Sequence, residues 1–100
     1  QGAFNFEIEI KGTDNVPVAL ELAFKHGGVF SGVEKIKDIE HAWLLKNGTG
    51  VYSFNGETIE FGPGRHDHNW TQLRGAEKKL DAQSVYITGF SPLKWNVFIR

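Results

Sequence analysis

Apolar side chains recur at every second position through most of this chain, and that period constrains its fold more than any other feature. In AFNFEIEIK, Phe4, Phe6, Ile8 and Ile10 fall on one face of an extended segment, and Asn5, Glu7, Glu9 and Lys11 on the other. Successive side chains of a strand point to opposite sides, so this is the pattern of a strand with one wet face. VPVALELAFK repeats it with Val16, Val18, Leu20, Leu22 and Phe24 inward. LELAF has fair helix propensity, but period two fits all five apolar positions, and periodicity decides over propensity. Pro17 cannot donate to a ladder, which places it at an edge or at the first residue of its strand. GTDN at 12–15 supplies turn chemistry between the two segments, so they are expected to pair as a hairpin.

The clearest local signal is VYSFNGETIEF. Asn55-Gly56 suits a two-residue type I′ turn, in which both central residues take positive φ. Counting outward from it pairs Phe54 with Glu57 and Tyr52 with Ile59, so Tyr52, Phe54, Ile59 and Phe61 share a face. HGG at 26–28 breaks the chain, and VFSGVEKI reads as a weaker strand interrupted by Gly32. KDIEHAWLLK is open between a short helix and a strand beginning near Ala42. RGAEKKLDAQ is polar, a helical turn or a long loop, whereas SVYITGF and KWNVFIR are strands with Gly89 and Pro92 marking the turn between them. Roughly six to eight short strands punctuated by Gly, Asn and Pro define the expected class: all-β, an antiparallel β-sandwich or jelly-roll-like fold.

One hundred residues form one domain over 1–100, because a chain of this size buries its apolar area in a single core. Eight Phe, three Trp and two Tyr supply that core. Eleven basic against twelve acidic side chains give a net charge of -1, which provides no bulk field for nucleic acid or an anionic membrane surface. Neither partner is expected. No apolar run approaches the roughly 20 residues that span a bilayer. The absence of Cys excludes disulfides, thiolate metal sites and a Cys nucleophile. There is no Met, and Gln1-Gly2 resembles the remnant of a cleaved tag, so the chain is expected to be a piece of a longer protein.

GPGRHDHNW at 62–70 gathers the chemistry: a glycine-proline turn, Arg65, His66, Asp67, His68, Asn69 and Trp70, with Arg74 close behind. A sugar presents hydroxyls at its ring edge and a flat C–H face, so its binder needs an aromatic platform flanked by polar donors and acceptors. Trp70 as platform, with Arg65, His66, Asp67, His68, Asn69 and Arg74 as contacts, offers that mixture. An arginine adds a fork for the carboxylate of a uronic acid. Trp43, among Ala42, Leu44 and Leu45, reads as core, and Trp95, alternating with Val97 and Ile99, reads the same way.

Two other readings use the same residues. His66 and His68 project to one side of an extended segment, a geometry for two metal ligands, but no spacing singles out a third among Glu57, Glu60, Asp67, His26 and His41. Either histidine, with Tyr52 and an arginine, has the groups needed to abstract a proton from a uronic acid. GETIEFGPGRHDHNW also resembles the second motif of cupins, with Gly56, Pro63, Gly64, His66 and Asn69 in the matching parts. The proline arrives one residue late, the histidine and asparagine follow one residue early, and the paired histidines and glutamate of the first cupin motif are missing. The resemblance covers about fifteen residues and implies a jelly-roll fold rather than a metal. Phosphate-loop and nucleophilic-serine motifs are absent, and no cofactor is expected. Asn47 and Asn69 open Asn-x-Thr sequons, read as chance.

The expected function is therefore non-catalytic. We expect a carbohydrate-binding accessory module of a secreted bacterial polysaccharide-processing protein, extracellular or periplasmic, with carbohydrate or an adjacent catalytic domain as partner. The alternatives are a small cupin-like domain with a divalent metal on His66 and His68, and a purely structural or protein-interaction β-domain.

Overall fold

Nine strands and no helix make up the residues that the computed structural model describes, namely 3–37, 39–68 and 82–100. They are β1 (Phe4–Ile10), β2 (Pro17–Phe24), β3 (Val29–Ser31), β4 (Glu34–Lys35), β5 (Ala42–Leu44), β6 (Gly50–Phe54), β7 (Glu57–Gly62), β8 (Gln83–Phe90) and β9 (Leu93–Ile99). A five-stranded sheet runs β1-β9-β7-β6-β3 and a four-stranded sheet runs β2-β8-β5-β4. The β6–β7 hairpin has the register that its turn dictates: Phe54 faces Glu57 and Tyr52 faces Ile59, with Asn55 and Gly56 at φ 52° and 82°.

The expected hairpin of β1 with β2 does not form. β1 pairs antiparallel with β9, from Phe4↔Ile99 to Ile10↔Leu93, and β2 pairs antiparallel with β8, from Pro17↔Phe90 to Phe24↔Gln83. Both connections, 11–16 and 91–92, therefore pass from one sheet to the other rather than turning back within one. The same turn residues serve a hairpin and a corner, so composition alone does not separate the two. The corners are stitched together. Asn15 N–H donates to Ser91 O at 2.7 Å, Ser91 N–H to Val16 O at 2.9 Å, and Val16 N–H to Ser91 Oγ at 3.3 Å. The Ser91 hydroxyl donates in turn to Thr13 O.

The segment read as one interrupted strand divides at Gly32 and Val33. β3 joins β6 in the larger sheet, and β4 joins β5 in the smaller. The open question at KDIEHAWLLK resolves as strand β5. β5 lies parallel to β8, Ala42↔Ser84 to Leu44↔Tyr86, so the smaller sheet is mixed where an antiparallel one was expected. A parallel pair needs a long crossover, and the chain from Leu45 onward through β6 and β7 supplies it.

The core lies between the sheets. Phe24, Val85 and Ile87 from the smaller sheet meet Tyr52 and Phe61 from the larger, with Leu45 among them. Phe24 is the hub: its ring centroid is 4.9 Å from that of Phe61, 5.0 Å from Tyr52 and 5.3 Å from Phe30. A second cluster of Ile36, Ala42, Leu44 and Tyr86 involves the alternate residues of β5 and β8. β8 is consequently buried on both faces from Gln83 to Gly89, which is why SVYITGF lacks a polar alternation. β1 departs from expectation the other way. Phe4 and Phe6 are 59% and 44% exposed, because β1 is the outermost strand of its sheet.

Candidate functional site

After β7 the chain does not follow β9 further. Pro63 has no N–H to donate, and the segment crosses to the smaller sheet. Gly64 N–H donates to Gly48 O at 2.9 Å and Arg65 N–H to Leu45 O at 3.0 Å. The segment then takes over from β5 beside β8. Thr88 N–H donates to Arg65 O at 3.1 Å, and His66 forms a parallel bridge with Thr88. The Thr88 hydroxyl donates to His68 O at 3.0 Å. The backbone of 64–68 is thus held by a sheet, which fixes where its side chains emerge.

Those side chains diverge. Arg65 and Asp67 meet each other, with Arg65 Nε 2.7 Å from Asp67 Oδ2. The Arg65 guanidinium carbon lies 4.9 Å from the ring centroid of Trp95, and Trp95 Nε1 donates to Pro63 O at 2.9 Å. His68 points elsewhere: its Nε2 is 3.1 Å from Val18 O and 2.9 Å from Gly89 O, and its ring meets Phe90 edge-on at 5.0 Å. Both oxygens only accept, so Nε2 carries the proton and clips the segment to β2 and β8. His66 Nδ1 is buried and has no hydrogen-bond partner among the described residues. Asn69, Trp70 and Arg74 lie outside the described residues, as does most of RGAEKKLDAQ.

Trp95, expected in the core, lies there only in part. It packs against the core but is only half-buried, and it lines a shallow groove of about 310 Å3 with Pro63, Lys94 and Asn96. β7 pairs with β9 only at Phe61↔Ile99 and Gly62↔Phe98, so β9 outlasts its neighbour at Lys94–Asn96. No period in the sequence signals where a neighbouring strand ends. Trp43, also read as core, is half-buried, stacked 4.7 Å from Phe30 and covered by the Lys35 ammonium at 5.5 Å.

Two cations flank the groove, Lys94 in its lining and Arg65 over the Trp95 ring, each with an acidic partner. Arg65 is paired with Asp67, and Lys94 with Glu7 at 3.1 Å. Exposed pairs of this kind contribute about 0–1 kcal/mol, so an incoming carboxylate competes with them at little cost. The indole beneath Arg65 and the Asp67 carboxylate hold the guanidinium in place, which lowers the entropy lost when it grips a ligand.

The other proposed arrangements gain less. His68 Nε2 is committed to backbone oxygens, and no group of three or more His, Asp or Glu converges among the described residues. His26 and His41 pack edge to face at 4.5 Å. Tyr52 is buried in the core, its hydroxyl donating to Lys25 O and accepting Gly28 N–H, away from a proton-abstraction role. A second concavity of about 320 Å3, lined by Phe24, Tyr52, Phe54 and Ile59 with Lys25 and Glu57, is largely apolar.

No protein-family model, curated protein or solved structure matches this chain. What is defined is a class: an all-β module of two packed sheets with an aromatic and cationic groove at the end of one strand.

Proposed function

We propose that the chain is a β-sandwich of jelly-roll type that binds carbohydrate as an accessory module of a polysaccharide-processing protein, and that its ligand carries a carboxylate. The observation that carries this reading is the Arg65 guanidinium stacked on Trp95 beside the groove of Pro63, Lys94 and Asn96. Trp95 supplies apolar ring surface, Asn96 a donor and an acceptor, and Arg65 and Lys94 the positive charge that a uronic acid requires. Asp67 orients Arg65 and accepts from a sugar hydroxyl when the arginine turns to the ligand. His66 completes the proposed contacts of the segment, its buried Nδ1 having no hydrogen-bond partner among the described residues. Asn69, Trp70 and Arg74 extend the proposed contact set along the chain.

A glycan array probed with the wild type, Trp95→Ala, Arg65→Gln and Trp70→Ala tests it. Binding to acidic glycans, lost in Arg65→Gln and Trp95→Ala, is the expected result. Binding lost only in Trp70→Ala would move the platform to the position first expected. No binding to any glycan by the wild type would overturn the reading and favour a structural role.

A further inference from the structure

Sheet edges expose unpaired N–H and C=O groups, and proteins protect them with short strands, prolines, bulges or cover. The edge strands here are β1 and β3 in one sheet, and β2 and β4 in the other. β3 has three residues and β4 two, and β2 opens on Pro17. β1 has none of these devices and is guarded only by the charges of Glu7 and Glu9. It is seven residues long, contains no proline, pairs with β9 without a bulge, and has no partner on its other side among the described residues. It also bears the exposed aromatic pair, Phe4 and Phe6, whose rings stack at 6.2 Å and 15°. At 59% and 44% exposure the pair leaves much of its apolar area in water, side by side on one edge.

We infer that the outer edge of β1 receives a strand from a partner polypeptide, apolar on one face and basic on the other. The apolar face follows from Phe4 and Phe6, which an added strand would cover. The basic face follows from the alternate side of β1, which presents Asn5, Glu7 and Glu9, with Lys11 just past the strand. Glu7 reaches Lys94, and Glu9 makes no ion pair among the described residues. Cross-strand pairs of opposite charge stabilise a sheet, and like charges opposite one another destabilise it. That preference disfavours a second copy of this chain in the register that pairs the whole of 4–10. Antiparallel self-pairing about Glu7 sets Glu7 against Glu7, and pairing about Ile8 sets Glu7 against Glu9. Main-chain hydrogen bonds along the edge supply affinity and the two faces supply selectivity, the mode of strand addition.

The test uses two synthetic peptides of roughly seven residues, the length of a common strand. One alternates valine with lysine and the other alternates valine with glutamate. Binding is followed by fluorescence anisotropy, and the site is located by amide hydrogen exchange. The lysine peptide is expected to bind about tenfold tighter than the glutamate peptide, and to slow exchange within residues 4–10. Phe4→Thr with Phe6→Thr should weaken it by a similar factor while the urea midpoint and glycan binding stay unchanged, because both side chains are exposed. Equal affinity for the two peptides, or no slowing of exchange in β1, would overturn the inference. So would dimerisation of the chain through β1 without peptide, seen by sedimentation, since the occupant would then be a second copy. Loss of the glycan reading leaves this outcome untouched, and the reverse also holds.

Discussion

Gly28 and Gly56 are required for different reasons, and substitution separates them. A Cβ at Gly28 would clash with the Tyr52 ring and meet Ser53 O at 2.6 Å, whereas a Cβ at Gly56 meets nothing within 4 Å among the described residues but sits at φ +82°. Gly28→Ala should cost about 1–3 kcal/mol through overpacking, and Gly56→Ala about 1–2 kcal/mol through backbone conformation. Asparagine tolerates positive φ, so Gly56→Asn should recover most of the loss and Gly28→Asn none of it. Urea denaturation of the four variants reads both effects, and rescue at Gly28 would contradict the packing account. His66 gives a second residue-scale prediction. A buried polar atom without a partner costs about 1–3 kcal/mol, so an apolar replacement of similar volume removes a penalty. His66→Leu should leave the urea midpoint unchanged or raise it, and a clear fall would show that Nδ1 has a structural partner.

At the scale of elements, the hairpin at 50–62 was legible to the residue, because Asn-Gly demands one turn type and a two-residue turn fixes register. The pairing of β1 with β9 and β2 with β8 was not. GTDN and GFSP contain ordinary turn residues, and whether a chain doubles back or changes sheet depends on partners far along the sequence. Ser91 is where that choice is secured. It is 5% exposed, its hydroxyl joins Thr13 and Val16, and its backbone joins Asn15 and Val16. Ser91→Ala removes the hydroxyl's two bonds and should destabilise by roughly 1–2 kcal/mol. Amide exchange should quicken at Val16 before it does in β6 and β7. Uniform quickening would mean that the corner is not a local unit.

The candidate site was half legible for a reason of the same kind. Arg65 and Asp67 announced themselves by composition, and alternation separates them from His66 and His68 once the segment is extended. Trp95 shares its period with Val97 and Ile99, and only the early end of β7 leaves it partly uncovered.

For the whole molecule, stability rests chiefly on the cluster assembled from both sheets, with no disulfide. The smaller sheet's second cluster shares β8 with it, so unfolding should be a single transition with coincident fluorescence and circular-dichroism midpoints. Phe61 is fully buried against Phe24 and Phe30, and Phe61→Ala should lower stability by about 3–5 kcal/mol without splitting that transition. Two separated transitions would mean that the sheets fold independently. The Arg65–Trp95 stack lies at the margin of this core, where a neutral substitution of the arginine leaves the interior intact. The direct measurement is therefore a calorimetric titration of an oligouronate into wild type and Arg65→Gln, with equal urea midpoints checked first. Saturable binding that weakens by about tenfold or more in Arg65→Gln is the predicted result, the loss expected when a charged hydrogen bond to a carboxylate is removed. Identical isotherms for the two proteins, or no heat with either, would contradict it.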